Sequence, residues 1–558
     1  MLVKTYGAAV QGIDATTITI EVSIENGFTF CIVGLPDTSV KESHQRVISA
    51  LKQSGYSYPR KSVVVNMAPA ELKKEGAAYD LPIAIAVLVG SEQIASDCLD
   101  KFMIMGELSL DGSVQPIRGV LPMAIEARAK GFKGMIVPVA NATEAAVVNN
   151  IDVYGVENLT QVIELLSGKS SLQPTQFDTR AEFARGLNTL DLDFSEVKGQ
   201  ESVKRAFEVA CAGGHNILLV GAPGAGKSMM AKRLPGIMPP LSLAEALETT
   251  KIHSVAGKLK QGSKLMTRRP FRSPHHTISP VALVGGGTNP LPGEISLAHN
   301  GILFMDEFPE FPRQVLEVLR QPLEDNTISI SRAKYAVDYP AGFMLVASMN
   351  PCPCGYYNHP TKACTCPPGT VNKYLSKISG PLLDRIDIQC EILPVPFEKL
   401  SSMADGESSS SIRERVVKAR EIQMQRYKNE KGIFCNARIN TRLMKQYCQL
   451  DEECQKILKH AMTRYDMSAR AYDRILKVAR TIADLDAAST IPADSAFAAG
   501  SSLSDASALA DGSTPADGSA LTADWLEKAV NAPIRPDHIR EAISYRNLDR
   551  ASWGTTLP

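Results

Sequence analysis

A glycine-rich segment near the middle of the chain carries the residue types of a phosphate-binding loop. It fits the pattern G-x-x-x-x-G-K-S and consists of Gly221, Ala222, Pro223, Gly224, Ala225, Gly226, Lys227 and Ser228. The apolar residues 217–220 directly before it predict a strand. Glycines let successive backbone N–H groups face a phosphate, a lysine adds positive charge, and a serine hydroxyl can bind Mg²⁺. The segment therefore predicts a site for ATP and Mg²⁺.

Two further apolar segments end in polar residues that suit ATP hydrolysis. Residues 301–305 lead into Asp306 and Glu307, and residues 343–349 lead into Asn350. Ligands bind outside the carboxyl ends of parallel strands, so we expect these side chains beside the phosphate loop. Asp306 is predicted to hold Mg²⁺ together with the loop serine. Glu307 is predicted to polarise the attacking water, and Asn350 to orient it.

An arginine beyond these segments has a place in the same chemistry. Arg385 follows the sequence Leu382-Leu383-Asp384 near the end of the predicted sheet. An arginine supplied by a neighbouring molecule can stabilise the charge of the transition state. Taken alone, the same residue would be interpreted as half of an ordinary surface ion pair.

These motifs together resemble an AAA+ ATPase of the magnesium-chelatase-like group. The resemblance covers about residues 193–550 and includes the segment Ser468-Ala469-Arg470 in a helical region. It implies that Arg385 is the arginine finger acting on a neighbouring subunit. It also implies that Arg470 is a second sensor, which contacts the γ-phosphate from a helical lid. Both roles imply a ring of identical subunits, usually a hexamer.

The N-terminal part of the chain resembles the protease domain of Lon. Residues 74–78 and 106–120 carry this resemblance. A Lon-type peptidase needs a serine nucleophile and a lysine that takes its proton. The matched segments place Ala78 where the serine would fall and Leu121 where the lysine would fall, so we predict no peptidase activity. A Lon-like domain joined to a chelatase-like AAA+ module is the architecture of the ComM/YifB family. The best-known members of that family resemble ATP-driven DNA motors that promote branch migration during natural transformation.

Four cysteines follow Asn350 and have the spacing of two ligand pairs. They form C-x-C, nine residues and C-x-C, and they are Cys352, Cys354, Cys364 and Cys366. Four thiolates can close a tetrahedral zinc site, but paired zinc ligands are usually separated by two to four residues. A Zn²⁺ site and a set of free thiols both remain open.

Basic side chains in loops of the predicted core are candidates for DNA contacts. One cluster is formed by Arg268, Arg269 and Arg272, and a second by Arg332 and Lys334. The second lies in residues 327–332, whose alternating pattern predicts a hairpin. Phosphate contacts by such residues give sequence-independent binding, here to single-stranded or branched DNA. A solvated loop explains any one of these residues equally well.

The composition limits the size class and the partners. The chain has 558 residues with 60 basic and 60 acidic side chains, so we expect two to four domains and only local nucleic-acid-binding patches. The N-terminus shows no signal-peptide pattern, and no segment reaches the roughly 18 to 20 apolar residues that span a bilayer. We therefore expect a cytoplasmic protein without a membrane partner. In this context the eleven cysteines indicate reduced thiols.

The order of predicted elements indicates a multidomain α/β protein. We divide it into a degenerate Lon-protease-like α+β domain (1–166), a linker (167–192), an AAA+ P-loop core with a parallel sheet and the four-cysteine insertion (193–395), and a helical lid and C-terminal domain (396–558). Residues 487–522 are rich in Ala, Ser, Asp and Gly and contain no Lys or Arg. This composition predicts a disordered insert.

Three functions remain open on the sequence alone. The first is a ring-forming DNA helicase or translocase driven by ATP, which promotes branch migration. The second is a chelatase-type remodeller that drives metal insertion into a tetrapyrrole with partner subunits, but the chelatase motor subunit typically lacks a Lon-like front. The third is a regulatory adaptor whose Lon-like domain binds partners. The presence of Lys227, Asp306 and Glu307 argues against an adaptor without enzymatic activity.

Overall fold

The computed structural model contains an N-terminal α/β unit, a core with a parallel sheet, and a helical C-terminal region. It describes residues 1–186, 192–259, 265–287, 290–332, 335–395, 406–430, 432–490 and 526–546. Buried hydrophobic residues gather in the N-terminal unit and on both faces of the core sheet. The α/β fold class and the helical lid predicted from the sequence are confirmed.

A mixed seven-stranded sheet forms the N-terminal unit. The strands of this unit are β1 (Leu2–Gln11), β2 (Asp14–Glu25), β3 (Phe30–Val33), β4 (Ser62–Ala68), β5 (Phe102–Ile104), β6 (Glu107–Leu108), β7 (Val114–Gln115), β8 (Gly134–Pro138) and β9 (Asp152–Val156). Their order in the sheet is β3-β4-β2-β1-β5-β8-β9, and β6 pairs with β7 separately. In β2, Ile18, Ile20 and Val22 are fully buried while the residues between them are not. This alternation is expected where a sheet covers its core with one face.

Helices cover the N-terminal sheet. They are α1 (Thr38–Lys41), α2 (Ser43–Gln53), α3 (Asp80–Gly90), α4 (Val120–Ala129), α5 (Val139–Ala145), α6 (Leu159–Leu166) and α7 (Thr179–Gly186). Every residue of α3 is buried. Because this segment is apolar on all sides, it fits a central core helix and not a surface one.

Part of the predicted linker is folded against the N-terminal unit. Leu172, Phe177 and Phe183 pack against its hydrophobic core. The hydroxyl of Thr179, the first residue of α7, donates a hydrogen bond to the carbonyl of Val147 at 3.0 Å. The structure thus differs from the predicted linker over these residues. A few widely spaced apolar side chains hold the segment against the N-terminal core, and the polar residues around them hide this pattern in the sequence. The linker residues 187–191 lie outside the described part.

The core contains a five-stranded sheet in which all neighbouring strands are parallel. The strands from this part of the chain are β10 (Ile217–Gly221), β11 (Phe271–Arg272), β12 (Gly285–Gly286), β13 (Leu291–Pro292), β14 (Ile302–Met305), β15 (Thr327–Arg332), β16 (Tyr335–Pro340), β17 (Met344–Met349) and β18 (Ile388–Ile392). The sheet order is β11-β14-β17-β10-β18. Strands β10, β14 and β17 are buried along their whole length, as their continuous apolar runs predict. Their carboxyl ends therefore meet at one edge.

Short helices surround this sheet, and the β15–β16 hairpin packs against its core. The helices are α8 (Glu201–Gly213), α9 (Lys227–Ala231), α10 (Leu234–Ile237), α11 (Leu243–Val255), α12 (Pro280–Val284), α13 (Glu294–Leu297), α14 (Arg313–Glu317), α15 (Pro322–Asp325), α16 (Thr370–Leu375) and α17 (Gly380–Leu383). Strands β12 and β13 pair antiparallel, as do β15 and β16. The hairpin predicted around residues 327–332 is confirmed.

The C-terminal region is a bundle of helices. They include α18 (Ser409–Arg426), α19 (Thr441–Tyr447), α20 (Glu452–Tyr465), α21 (Ala469–Ser489) and α22 (Pro536–Ser544). Asp484 of α21 is fully buried and accepts hydrogen bonds from Arg426 of α18 at 2.6 and 2.8 Å. Arg480 and Asn436 also donate to this carboxylate, at 3.1 and 2.8 Å. The Asp484 carboxylate thus links α18, α21 and the segment around Asn436 within the bundle.

The first residues of the predicted disordered insert, 487–489, belong to a helix. Helix α21 continues through Ser489, because the apolar side chains of Leu485 and Ala488 on its inner face are buried. Residues 491–522 of the insert lie outside the described residues. Within the described ranges, no helix combines the length and the apolar character that crossing a membrane requires.

Helix α11 ties the core to the N-terminal unit. Leu241, Ala246 and Leu265 are buried in the N-terminal hydrophobic cluster, although they follow the phosphate loop in the chain. Polar contacts continue this interface: Lys251 Nζ lies 2.5 Å from a carboxylate oxygen of Asp14. The N-terminal unit and the core therefore share buried apolar surface.

Candidate nucleotide-binding and hydrolysis site

The glycine-rich loop leaves the carboxyl end of β10 and leads into α9. Gly224 and Gly226 have φ angles of +78° and +84°, which residues with a side chain rarely adopt. Gly221 passes so close to β18 that an added Cβ would lie 2.6 Å from the carbonyl oxygen of Ile392. The glycines at these positions are thus required by the curled backbone and by the neighbouring strand.

Lys227 places its ammonium group inside this loop. Its Nζ donates to the carbonyl oxygens of Gly221 at 2.7 Å and Ala222 at 3.0 Å, and to Asn350 Oδ1 at 3.1 Å. Burial lowers the pKa of Lys227 from its ordinary value, and the negative charge of Asp306 opposes this effect. The structure therefore brings the predicted lysine and the predicted asparagine together across two strands.

Asp306 stands next to the loop serine at the end of β14. Ser228 Oγ donates to Asp306 Oδ2 at 2.6 Å, and Ser348 of β17 donates to the other carboxylate oxygen. The backbone N–H of Glu307 also donates to Asp306 at 3.0 Å. A serine hydroxyl and a carboxylate are the oxygen ligands that Mg²⁺ takes up. Both predicted metal ligands thus lie side by side, and Ser348 is an additional support for Asp306 that the sequence did not single out.

Glu307 directly follows β14, is exposed and contacts a histidine. Its φ angle of +53° is unusual for a residue with a side chain. Its Oε2 lies 3.2 Å from His276 Nδ1. His276 reaches this place because β11, which precedes it, pairs with β14. No sequence motif predicts a role for His276 in hydrolysis, and only the order of strands in the sheet brings it to Glu307.

The residues at this edge fit a nucleoside triphosphate with Mg²⁺. The loop backbone and the Lys227 ammonium supply donors for phosphate oxygens, and Ser228 and Asp306 supply ligands for the metal. Asn350 and Glu307 follow the neighbouring strands β17 and β14, so both lie at the same edge. Such an arrangement can bind a triphosphate, hold the metal and accept a proton from water.

Arg385 and Arg470 lie at the other end of the sheet. The carbonyl of Arg385 accepts a hydrogen bond at 3.1 Å from Asn216, which precedes β10, whereas the phosphate loop follows this strand. A strand of five residues separates the two ends by roughly 15 Å. Arg470 Nη1 lies 3.5 Å from Asp384. The structure thus places Arg470 away from the phosphate loop of its own chain, unlike a lid residue that contacts the γ-phosphate bound there.

The two arginines differ in exposure. The side chain of Arg385 is 7% exposed, pairs with Glu324 and donates to the carbonyl of Pro381 at 2.5 Å. The side chain of Arg470 is 60% exposed. Arg385 must therefore release Glu324 before it can reach another molecule, whereas Arg470 already faces solvent.

The four predicted metal-ligating cysteines come together in the loop after β17. The sulfur atoms of Cys352, Cys354, Cys364 and Cys366 all lie within 4.8 Å of one another. None of them forms a disulfide. The cluster can hold a metal ion.

The predicted basic clusters are only partly available to DNA. Arg269 is a structural residue: its guanidinium donates to the carbonyls of Pro239 at 2.6 Å and Asn300 at 2.7 Å, and its side chain is 9% exposed. Arg272 forms a two-pronged ion pair with Glu294 at 2.6 and 2.7 Å. These two residues therefore differ from the predicted free phosphate contacts, because the core uses their donors internally.

The other basic candidates differ in what the structure describes. Arg268 is exposed. Arg332 ends β15, and its side chain lies outside the described part, as does all of Lys334. The hairpin is thus in place, while its tip is not described.

The position expected for a Lon-type dyad carries no dyad. The carbonyl of Ala78 accepts a hydrogen bond from Gly106 at 2.9 Å, and Leu121 is fully buried at the start of α4. The backbone N–H of Leu121 donates to Glu144 at 3.0 Å, and Ser254 of α11 donates to the same carboxylate. The core therefore covers the segment in which a catalytic lysine would stand.

Comparison with known proteins agrees with this architecture. Family models described as magnesium chelatase, subunit ChlI, match residues 193–400, 20–141 and, for the ChlI C-terminal part, 406–501. The protein YifB of Escherichia coli is 44% identical over 488 residues, which are 87% of this chain and 93% of YifB. The competence protein ComM of Haemophilus influenzae is 43% identical over 491 residues, 87% of this chain and 94% of ComM. An archaeal Lon protease of Thermococcus kodakarensis is 29% identical over 130 residues, 22% of this chain and 20% of that protein.

The parallel sheet, the glycine-rich loop and the two acids that follow β14 define a magnesium-chelatase-like AAA+ protein. The N-terminal unit and the helical region extend the match over nearly nine-tenths of the chain. The chain belongs to the ComM/YifB family.

Proposed function

We propose that this protein is an ATP-driven DNA motor that works as a homo-oligomeric ring, a hexamer, and promotes branch migration of recombination intermediates. One observation carries the proposal. The residues for phosphate binding and hydrolysis lie at one end of the core sheet, and Arg385 and Arg470 lie at the other. Hydrolysis then needs the far end of a second subunit, which makes assembly a condition of activity.

The residues of one chain divide the chemistry among them. Lys227 and the loop N–H groups bind the phosphates, and Ser228 and Asp306 hold Mg²⁺, which neutralises charge on the phosphates. Glu307 accepts a proton from the attacking water, and Asn350 orients that water. His276 restricts the orientation of the Glu307 carboxylate through the 3.2 Å contact.

A neighbouring subunit supplies the remaining positive charge. Arg470 is exposed, and Arg385 becomes available when Glu324 is released. Charge from a second molecule stabilises the transition state, as arginine fingers do. Because both arginines lie near the start of β18, one contact with a neighbour can bring them to its nucleotide together.

DNA is the proposed partner for two reasons. The relative ComM is named a competence protein. The β15–β16 hairpin packs on the core and carries Arg332 at the end of its first strand, and Arg268 is exposed elsewhere on the core. Basic residues on such loops bind phosphates without regard to sequence, so binding should weaken with salt.

Two measurements on the full chain test this function. The ATPase rate is compared without DNA, with single-stranded DNA and with a branched junction, and displacement of a labelled strand is scored on the junction. We expect DNA to stimulate hydrolysis and the labelled strand to be displaced from the junction, with both activities strongly reduced in Glu307→Gln. Hydrolysis without DNA stimulation or strand displacement would reject the motor and favour a chelatase-type remodeller. Absence of hydrolysis would favour an adaptor.

Mixing two inactive variants tests the shared site. Lys227→Ala removes the phosphate contact of its own site, and Arg470→Ala removes the contribution to a neighbour. If the site is shared, mixed rings contain interfaces with one intact loop and one intact Arg470, so activity should return in part. If the two variants assemble into mixed rings and the mixture remains inactive, Arg470 does not act on a neighbour.

A further inference from the structure

The four clustered cysteines have the geometry of a metal site. Sulfur–sulfur distances are 3.3 Å between Cys352 and Cys354, 3.5 Å between Cys354 and Cys364, and 3.8 Å between Cys352 and Cys364. A tetrahedral Zn²⁺ site with Zn–S bonds of about 2.3 Å separates its sulfur atoms by roughly 3.8 Å. The cysteines are thus close to the spacing of four ligands around one ion, and too far apart for disulfides.

Sulfur chemistry narrows the choice of metal. Four thiolates in a tetrahedral arrangement suit Zn²⁺ or an iron–sulfur centre, and not Mg²⁺, which prefers oxygen. Each cysteine pair is separated by one residue, so the two pairs reach one ion only if the chain between them turns back. The backbone N–H of Gly355 donates to the carbonyl of Cys352 at 2.9 Å and forms such a turn directly after the first pair. Gly355 adopts a φ of +84° there.

The cluster adjoins the nucleotide site. Cys352 is fully buried and stands two residues after Asn350, whose Oδ1 accepts a hydrogen bond from Lys227 at 3.1 Å. An added Cβ at Gly355 would lie 2.5 Å from a ring carbon of Pro223 in the phosphate loop. The cysteine loop thus touches the phosphate loop at two points, one polar and one apolar.

The loop has little regular structure of its own to hold it in place. From Asn350 to Gly369 the structure describes neither helix nor strand. A polar loop of this length loses much conformational entropy when it is held in one shape. A metal ion that closes the loop supplies the missing constraint, as structural zinc sites do.

We propose that Cys352, Cys354, Cys364 and Cys366 bind one Zn²⁺ ion, and that this ion fixes the loop that supports Asn350 and Pro223 in the nucleotide site. The ion is structural, since all four positions around it are taken by protein ligands. Its loss releases the loop and weakens nucleotide binding. The effect on the nucleotide rests on the proposed ATP site, but the metal site itself does not.

Metal analysis of the full chain tests the site directly. The protein is purified without metal-affinity steps, and its metals are measured by mass spectrometry. We expect about one zinc per chain. Cys364→Ser should lose it, and Cys31→Ser, at an exposed cysteine of β3, should keep it. Protein without metal, or with iron in place of zinc, would overturn the proposal, as would zinc retained in Cys364→Ser.

A second measurement on the unmodified chain avoids any folding defect of the variant. Zinc is removed with a chelator, binding of a fluorescent ADP analogue is titrated, and zinc is added back. We expect nucleotide affinity to fall on removal and to return on addition. Unchanged affinity after complete removal would refute the link to the nucleotide site. Failure of the DNA-motor function would be distinguishable, because zinc content and ADP binding would stay as expected while DNA stimulation would be missing.

Discussion

The contact between His276 and Glu307 gives a quantitative test of how the carboxylate proposed for hydrolysis is oriented. The two side chains are 33% and 58% exposed, and their atoms are 3.2 Å apart. Partly exposed pairs of this kind contribute about 0 to 1 kcal/mol. At the upper limit, 1 kcal/mol corresponds to a change of about fivefold in the population of the oriented carboxylate. We therefore expect His276→Ala to lower kcat by up to about fivefold and to leave KM for ATP unchanged, because the contact restricts a carboxylate and not the phosphates.

A matched control lies next to it. His275 directs its Nδ1 to the hydroxyl of Thr277 at 3.0 Å. Its ring centroid lies 4.0 Å from that of His276, so steady-state ATPase rates of the full chain should fall less in His275→Ala than in His276→Ala. Glu307→Gln should lower kcat by about 10² to 10⁴, the usual contribution of a general base.

The double variant decides between positioning and a general structural effect. If His276 acts through Glu307, His276→Ala should cause no further loss in the Glu307→Gln background. An equal loss in His275→Ala would refute the reasoning. So would a full further loss in the double variant, since His276 would then act independently of the carboxylate.

Other expectations concern stability and nucleotide binding. Asp484→Ala leaves buried arginines without their carboxylate and should cost about 3 to 5 kcal/mol in denaturant unfolding, whereas the partly exposed Asp486→Ala should cost about 1 kcal/mol or less; equal costs would contradict the buried network. Burial would raise the pKa of Asp387, but Arg474, His215 and Lys477 together outweigh it and hold that pKa below its ordinary value of 3.8. This contribution to stability is present above pH 3.8 and lost as the pH falls further, so Tm on acidification should fall less steeply in Asp387→Asn than in the native chain. Lys227→Ala should abolish ATP binding in calorimetry; retained affinity would place the phosphates elsewhere.

The positions of the two acids after β14 and of the glycine-rich loop could be predicted because their signals are local. Each apolar strand directly precedes its polar residue, so strand and chemistry are encoded within about ten residues. The sheet then brings Lys227, Asp306 and Asn350 together without any further information. The same holds for the cysteines, whose pairs are separated by a short loop.

Features that depend on long-range packing could not be predicted. His276 meets Glu307 only because β11 pairs with β14. Arg269 looks like a surface cation in the sequence, but its guanidinium donates hydrogen bonds to the carbonyls of Pro239, after α10, and Asn300, before β14. Arg470 lies beside Asp384 because the start of α21 is held at that end of the sheet. In each case the sequence allows a charged or polar side chain several partners, and only the tertiary fold determines which one it contacts.

Helix α11 has a consequence for where the chain can be divided. The apolar residues Leu241, Ala246 and Leu265 complete a core whose other members come almost entirely from the first 186 residues. A fragment that begins at residue 193 would present these side chains to water, and a fragment that ends at residue 186 would have a gap where they belong. The sequence motifs mark two modules, but the hydrophobic core crosses the border between them. A chain cut between residues 186 and 192 is therefore expected to stay together as one particle, held by packing and not by its backbone.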